Sequence, residues 1–143
     1  MKKLVFITCL LAISLGSFAS EVNEEVMKTF TKTYPDAQRV SWETLREGYK
    51  VFFTKNDVSY RLVYDAQGNV TMALKYYGED NLPPLILNKI KKAYSDYKVH
   101  SVVEESSDLS LTYHVVLEDA KRIVNVKSDS VGFLEVESKY NKG

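Results

Sequence analysis

The sequence predicts an α+β fold, built as a tandem repeat of one helix plus a four-stranded antiparallel sheet. Together the two copies give up to eight strands, with the helices on one face of the sheet. Two observations predict this architecture. Apolar residues at helical spacing are followed by segments that alternate with a period of two. The same order of segments and turn residues then recurs 60 to 64 residues later.

Each copy opens with a segment whose apolar residues fall on one side of a helix. Residues 22–34 match residues 82–94, and the apolar positions of both are separated by 4, 1, 3 and 4 residues. Ser20 is the predicted N-cap of the first helix, because a serine hydroxyl can accept a bond from the first turn. Pro83 and Pro84 suit the opening turn of the second helix, where a missing N–H costs nothing.

Segments rich in β-branched and aromatic residues follow each helix and predict four strands per copy. Residues 49–53 match residues 113–117 at an offset of 64, which implies four additional residues near 104–108 in the second copy. Residues 65–68 and 129–132 both run from an aspartate to a glycine. They predict hairpin turns in which the glycine has a positive φ.

The N-terminus has the pattern of a cleaved secretory signal. A basic start at residues 1–3 precedes an apolar run at residues 4–15, and the small residues Ser17 and Ala19 provide a cleavage site. The apolar run is shorter than the roughly 20 residues that a membrane-spanning helix needs. No second long apolar stretch follows it, so we expect no membrane span after the signal is removed. The predicted organisation is a signal peptide at 1–19, repeat unit 1 at 20–79 and repeat unit 2 at 80–143, with both units in one domain.

Composition excludes several classes of function. The 143 residues carry 19 Lys and Arg against 19 Asp and Glu, so the chain lacks the basic excess of a nucleic-acid-binding protein. The single cysteine, Cys9, lies in the predicted signal, which removes thiol catalysis and cysteine-ligated metals from the mature chain. We find no nucleotide-binding loop, nucleophile elbow or zinc-protease motif. We therefore expect no cofactor, no catalytic residue and no enzyme activity.

The two histidines and one pair of glutamates could form a chemical site, but exposed polar strand residues are the favoured interpretation for both pairs. His100 and His114 could share a metal only if their strands were adjacent and in register, so solvated strand histidines are the preferred interpretation. Glu135 and Glu137 share a face of a predicted strand, as the two carboxylates of a glycosidase must. A thin open sheet makes no deep substrate groove, so an exposed polar face is the preferred interpretation.

The predicted strand phase leaves one face of the sheet turned away from the helices. This face mixes aromatic rings with cationic side chains, the mixture that interface centres favour. Packing between the units, a loop or a dimer could also cover it. The candidate partner-binding residues are Lys50, Phe52, Arg61, Val63, Lys75, Tyr77, His114, Phe133 and Glu135.

Several stretches in a fixed order carry a family resemblance. Beside the signal peptide, they are Phe30, Tyr34–Ala37, Val40–Glu43, Tyr64–Asp65 with Gly68, and Leu82–Pro83. The chain resembles the PepSY-like, β-lactamase-inhibitor-protein-like family of small exported bacterial proteins. The resemblance implies a tandem α+β repeat with one broad antiparallel sheet, exported to the periplasm or beyond. For the family's namesakes it also implies binding and inhibition of another protein through the concave face of the sheet.

Three functional hypotheses follow from these observations. The leading one is a periplasmic or secreted, non-enzymatic protein-binding module of inhibitor-like type. Its partner would be an envelope or extracellular protein of unknown identity. The second is a periplasmic carrier whose sheet face closes over a small ligand or peptide. The third is a structural envelope protein whose sheet face is hidden by self-association.

Overall fold

The structure is a computed structural model that describes residues 21–143, so the predicted signal peptide, Cys9 and Ser20 lie outside the described residues. This part of the chain contains two α-helices, a short 3₁₀ helix and eight strands. In chain order they are α1 (Glu24–Thr33), β1 (Gln38–Leu45), β2 (Gly48–Lys55), β3 (Val58–Tyr64), β4 (Val70–Tyr77), the 3₁₀ helix (Glu79–Asn81), α2 (Pro84–Ala93), β5 (Lys98–Ser107), β6 (Leu111–Glu118), β7 (Arg122–Asp129) and β8 (Leu134–Asn141).

The eight strands form one antiparallel sheet in which spatial order equals chain order, from β1 at one edge to β8 at the other. Short turns favour this order within each half, because a tight turn joins neighbouring antiparallel strands, whereas β4 and β5 are joined through the 3₁₀ helix and α2. At the β2–β3 turn, Asn56 and Asp57 have φ values of 49° and 62°, as a two-residue hairpin turn requires. The halves meet where β4 pairs with β5, from Met72 opposite Ser107 to Tyr77 opposite Val102. The antiparallel sheet and the two helices expected from the sequence are confirmed.

The helices start at different kinds of cap. The Oδ1 atom of Asn23 accepts a hydrogen bond from the backbone N–H of Val26 at 2.9 Å, so Asn23 caps α1 and the prediction of Ser20 is wrong. The second helix begins at Pro84 after Pro83, as predicted. Among residues 21–143, no helix has the length and apolar character needed to cross a bilayer.

Both helices pack on the same face of the sheet, which we call the helix side; the opposite face is the open face. In the first half, Val26 and Phe30 of α1 pack with buried side chains of β2 and β3. In the second half, Ile86 and Ile90 of α2 pack with buried side chains of β5, β6 and β7. Tyr60 packs against both clusters. The helix side therefore carries the hydrophobic core of both halves.

The turns between β3 and β4 and between β7 and β8 are built alike. Asp65 Oδ1 accepts hydrogen bonds from the backbone N–H groups two and four residues later, both at 2.9 Å. Asp129 Oδ1 accepts from the equivalent N–H groups of Val131 and Phe133, at 3.0 and 2.9 Å. Gly68 and Gly132 have φ values of 87° and 86°, in agreement with the predicted positive φ.

A third aspartate, Asp119, holds the β6–β7 turn. Its Oδ1 atom accepts from the backbone N–H groups of Lys121 and Arg122 at 2.7 and 2.6 Å. The Lys121 N–H, and then that of Arg122, lower the pKa of the Asp119 carboxyl from 3.8 to about 2. The charged form is thus favoured in the folded state, so its contribution to stability is complete above pH 3.8 and is lost as pH falls through about 2.

Asp119→Asn should therefore destabilise the protein at neutral pH and have no effect at the acid end. We expect the variant to unfold at lower urea concentration than the parent chain at pH 7. The difference should shrink between pH 4 and pH 2, as wild-type Asp119 becomes neutral. Urea unfolding of both proteins across this range measures it. A difference that stays constant down to pH 2 would contradict the stated role of the charge.

Candidate functional site

The open face of the first half is organised around Phe52 and Arg61. They are direct partners across the β2–β3 ladder. Each is flanked along its strand by buried residues of the core, such as Val51, Phe53 and Leu62. Because side chains alternate along a strand, this pattern places Phe52 and Arg61 on the open face. Both side chains are partly exposed, as residues of a contact surface must be.

The Arg61 guanidinium lies between two aromatic rings. Its Cζ atom is 4.9 Å from the centroid of Phe52 and 5.8 Å from the centroid of Tyr76. The Lys50 Nζ atom is 5.4 Å from the centroid of Phe52 as well. Cations at such distances are attracted by the negative face of a ring. Two rings thus hold a planar cation at the surface of the sheet.

Apolar side chains border most of this arrangement on the open face, and the polar Ser59 lies opposite Tyr76. Leu74 is the direct neighbour of Arg61 on β4, and Val63 pairs with Met72. Val103 pairs with Tyr76 across the junction between β4 and β5. Of these side chains Met72 is the most open, at 41% exposure. We call Phe52, Arg61, Leu74 and Tyr76 the ring–arginine patch.

Of the two cations that contact the Phe52 ring, Lys50 has an acidic partner and Arg61 has none within residues 21–143. The Lys50 Nζ atom lies 2.7 Å from Glu43 Oε2, so this cation is neutralised by its neighbour on β1. Within residues 21–143, no carboxylate lies within ion-pair distance of Arg61. The Nε atom of Arg61 is buried and has no hydrogen-bond partner there. The patch therefore carries one positive charge that the described chain leaves unpaired.

The open face of the second half differs, because its polar side chains pair with one another. His114 Nδ1 lies 3.2 Å from Glu137 Oε2, and His114 Nε2 lies 3.4 Å from Glu105 Oε2. Lys127 Nζ lies 3.2 Å from Glu135 Oε2. The predicted residues His114 and Glu135 thus belong to pairs that are satisfied within the chain.

Two predicted site residues, Lys75 and Tyr77, are not on the open face. Tyr77 is only 8% exposed and belongs to the core of the second half. Its hydroxyl donates to Glu104 Oε2 at 2.7 Å, and Lys75 Nζ lies 2.7 Å from Glu104 Oε1. Burial, and then the bond to Glu104, raise the pKa of Tyr77 above its ordinary value. Lys75 and Tyr77 therefore join the halves on the helix side, and their predicted position on the open face is wrong.

A β-bulge explains this error. Tyr64 pairs with Val70 and Val63 pairs with Met72, so Thr71 is an additional residue on β4. One additional residue moves all later side chains to the opposite face of the sheet. The open face of β4 consequently carries Met72, Leu74 and Tyr76, whereas strict alternation predicted Lys75 and Tyr77 there. Tyr76, Leu74 and Met72 are therefore absent from the contact residues predicted from the sequence.

Phe133 was also predicted on the sheet, but it precedes β8 and lies in the β7–β8 turn. Its side chain is 69% exposed. It borders a shallow depression that includes Lys127 and Glu135. Phe133 also borders a second depression with Lys89 and Lys92 of α2, so it is an exposed ring at one end of the sheet, distant in register from the ring–arginine patch.

The histidines do not converge on a metal site. His100 Nδ1 lies 3.2 Å from Glu118 Oε1, whereas the two nitrogens of His114 contact different glutamates. In the part of the chain that the structure describes, no group of three or more His, Cys, Asp or Glu side chains is placed to bind a metal. Glu135 and Glu137 are likewise held by separate partners, Lys127 and His114.

Solved structures of several Bacteroides proteins share this fold. A BLIP-like protein from Bacteroides fragilis is 23% identical, with a TM-score of 0.63 over 86% of this chain and 89% of that one. This chain has the BLIP-like fold. A DUF2874 family protein from Bacteroides uniformis is 21% identical, with a TM-score of 0.59 over 85% and 90% of the two chains.

A candidate periplasmic protein from Bacteroides eggerthii is 17% identical, with a TM-score of 0.60 over 85% of this chain and 89% of that one. No family model and no curated protein matches the chain. At such sequence identities the similarity shows the fold alone. The expected resemblance to BLIP-like proteins is confirmed for the fold. The PepSY part stays a prediction.

Proposed function

We propose that the protein is an exported, non-enzymatic module that binds another protein through the open face of its sheet. The observation that carries this proposal is the ring–arginine patch. Aromatic rings and arginine are the residue types most enriched among the strongest contacts of protein interfaces. Here they are stacked on one another on a partly exposed sheet face, with aliphatic neighbours. A face that only met water would carry mostly polar side chains.

Export is part of the proposal and rests on two supports. The first is the signal-like pattern of residues 1–19. The second is the fold shared with a candidate periplasmic protein. The partner would then be a protein of the envelope or the extracellular space, and inhibition of that partner is the form of binding that the BLIP-like fold suggests.

Duplication of one α+β unit is also part of the proposal. The matching Asp65 and Asp129 turns support it, because both repeat the same pair of backbone bonds and the same glycine conformation. The strands β3 and β7 also begin 64 residues apart, at Val58 and Arg122. Under this view the open face of the first copy provides the contact patch. The open face of the second copy carries polar side chains that pair with one another instead.

The test is a double substitution, Phe52→Ala with Tyr76→Ala. The partner is first captured from the envelope fraction with the mature chain, identified by mass spectrometry and purified. We expect the double variant to bind this partner at least tenfold more weakly, because loss of interface anchors costs about 2 kcal/mol or more. The melting temperature should change by less than about 3 °C, since neither ring belongs to the core.

Tyr140→Ala is the matched control. Tyr140 is a tyrosine on the open face of β8, 57% exposed and opposite Ile123. Its removal should leave the Kd within about twofold if the patch is the contact centre. Unchanged affinity of the double variant, or an equal loss in the Tyr140 variant, would refute the patch as the binding site.

A further inference from the structure

Arg61 differs from the other stacked arginine of the described chain. Arg122 lies 5.5 Å from the ring centroid of Tyr97, and its Nη2 atom also lies 3.0 Å from Asp119 Oδ2. Lys50, which stacks on Phe52, is paired with Glu43. The chain thus provides a carboxylate beside both of these stacked cations. Arg61 has the rings but, in residues 21–143, no carboxylate.

The missing partner leaves specific donors unused. A guanidinium has five N–H groups in a planar fork that matches the two oxygens of a carboxylate. The Nε atom of Arg61 is buried without a hydrogen-bond partner in the described range, so the terminal Nη groups are the donors that an incoming carboxylate can reach. Two rings restrict the side chain before any partner arrives, so less conformational entropy is lost when a pair forms. This geometry is preorganised to receive an anion.

The surroundings favour a carboxylate over a phosphate. A phosphate dianion is best met by several cations, whereas Lys50, the nearest other cation on this face, is occupied by Glu43. The remaining neighbours of Arg61 on this face are the rings, the aliphatic side chains of Leu74 and Val63, and the small polar side chain of Ser59. A single carboxylate with apolar residues on either side complements one unpaired charge in such a setting.

We infer that Arg61 is the receptor for one Asp or Glu side chain of the protein partner, presented by a segment that is otherwise aliphatic or aromatic. This inference rests on the proposed function, since it specifies which chemistry the same patch selects. Arg61 provides specificity through the planar fork, and Phe52 and Tyr76 hold the fork in place.

The experiment uses two pools of capped nonapeptides that differ only at the central residue, Asp in one pool and Asn in the other. All other positions are drawn from Leu, Val, Phe, Tyr, Ser and Gly. Binding to the mature chain is measured by fluorescence anisotropy. We expect the Asp-centred pool to bind at least tenfold more tightly, the range found for charged hydrogen-bonded pairs. Inorganic phosphate should compete less well than acetate at equal concentration.

The decisive variant is Arg61→Lys, which keeps the charge and removes the planar fork. It should abolish the preference for Asp over Asn, while Arg122→Lys, the matched control, should leave that preference unchanged. Equal binding of the two pools, binding of neither pool, an Arg61→Lys variant that keeps the preference, or stronger competition by phosphate would each overturn the inference. Loss of partner binding in the Phe52 and Tyr76 double variant would even then leave the proposed function standing.

Discussion

Phe30→Ala should lower the free energy of unfolding by about 4 kcal/mol, the middle of the range for a buried phenylalanine. Phe30 is 3% exposed and lies at the centre of the first-half core. Its ring centroid is 5.1 Å from that of Trp42 and 5.2 Å from that of Phe53, both in edge-to-face orientation. Truncation removes the ring's own burial and these aromatic contacts, and leaves a cavity between α1 and the sheet.

Thermal and urea unfolding measure this effect, with an expected fall in melting temperature of about 12 °C. Phe133→Ala provides the matched control, because Phe133 is the same residue type at 69% exposure. Its stability should stay within about 0.5 kcal/mol of the parent chain. Similar losses in the two variants would show that the aromatic cluster does not stabilise the first half as described.

Gly48→Ala should cost about 3 kcal/mol, because two independent constraints exclude a side chain at this position. Gly48 has a φ of 114°, a conformation that residues with a Cβ atom rarely adopt. A Cβ atom built there would also overlap the backbone carbonyl oxygen of Tyr64. Tyr64 belongs to β3 and pairs with Tyr49, so relief of the overlap requires movement of the β2–β3 ladder.

Gly78→Ala is the control for this substitution. Gly78 has nothing within 4 Å of an added Cβ atom, and its φ is −94°. It should therefore be neutral or slightly stabilising, by up to about 1 kcal/mol, since alanine restricts the unfolded chain. Urea midpoints for the two alanine variants give a direct comparison. A Gly48 variant as stable as the Gly78 variant would contradict the close approach of β2 and β3 at this point.

The architecture could be predicted from the sequence because the helical spacing of apolar residues and the alternation along strands are both local patterns. Val26 and Phe30 lie four residues apart, as do Ile86 and Ile90, and these four residues are the buried residues of the two helices. Alternation likewise placed Phe52 and Arg61 correctly on the open face. The domain limits at 20–79 and 80–143 stay predictions.

The face of β4 could not be predicted, because it depends on a bulge. Whether Thr71 is an additional residue is decided by how β3 and β4 pair, which is a long-range property of the fold. Contact residues assigned to β4 by alternation alone therefore lie on the wrong face of the sheet. The arginine stack was missed for the same reason, since Tyr76 faces Arg61 only after the bulge.

The two aspartate turns show where this fold can acquire new recognition chemistry. In each turn the last bond is donated by a backbone N–H, of Asn69 in one and Phe133 in the other. The Asn69 side chain returns to Asp65, whereas the Phe133 ring is exposed to solvent. Because the backbone bond is the same in both turns while the side chains differ, this position can carry an exposed ring without loss of that bond.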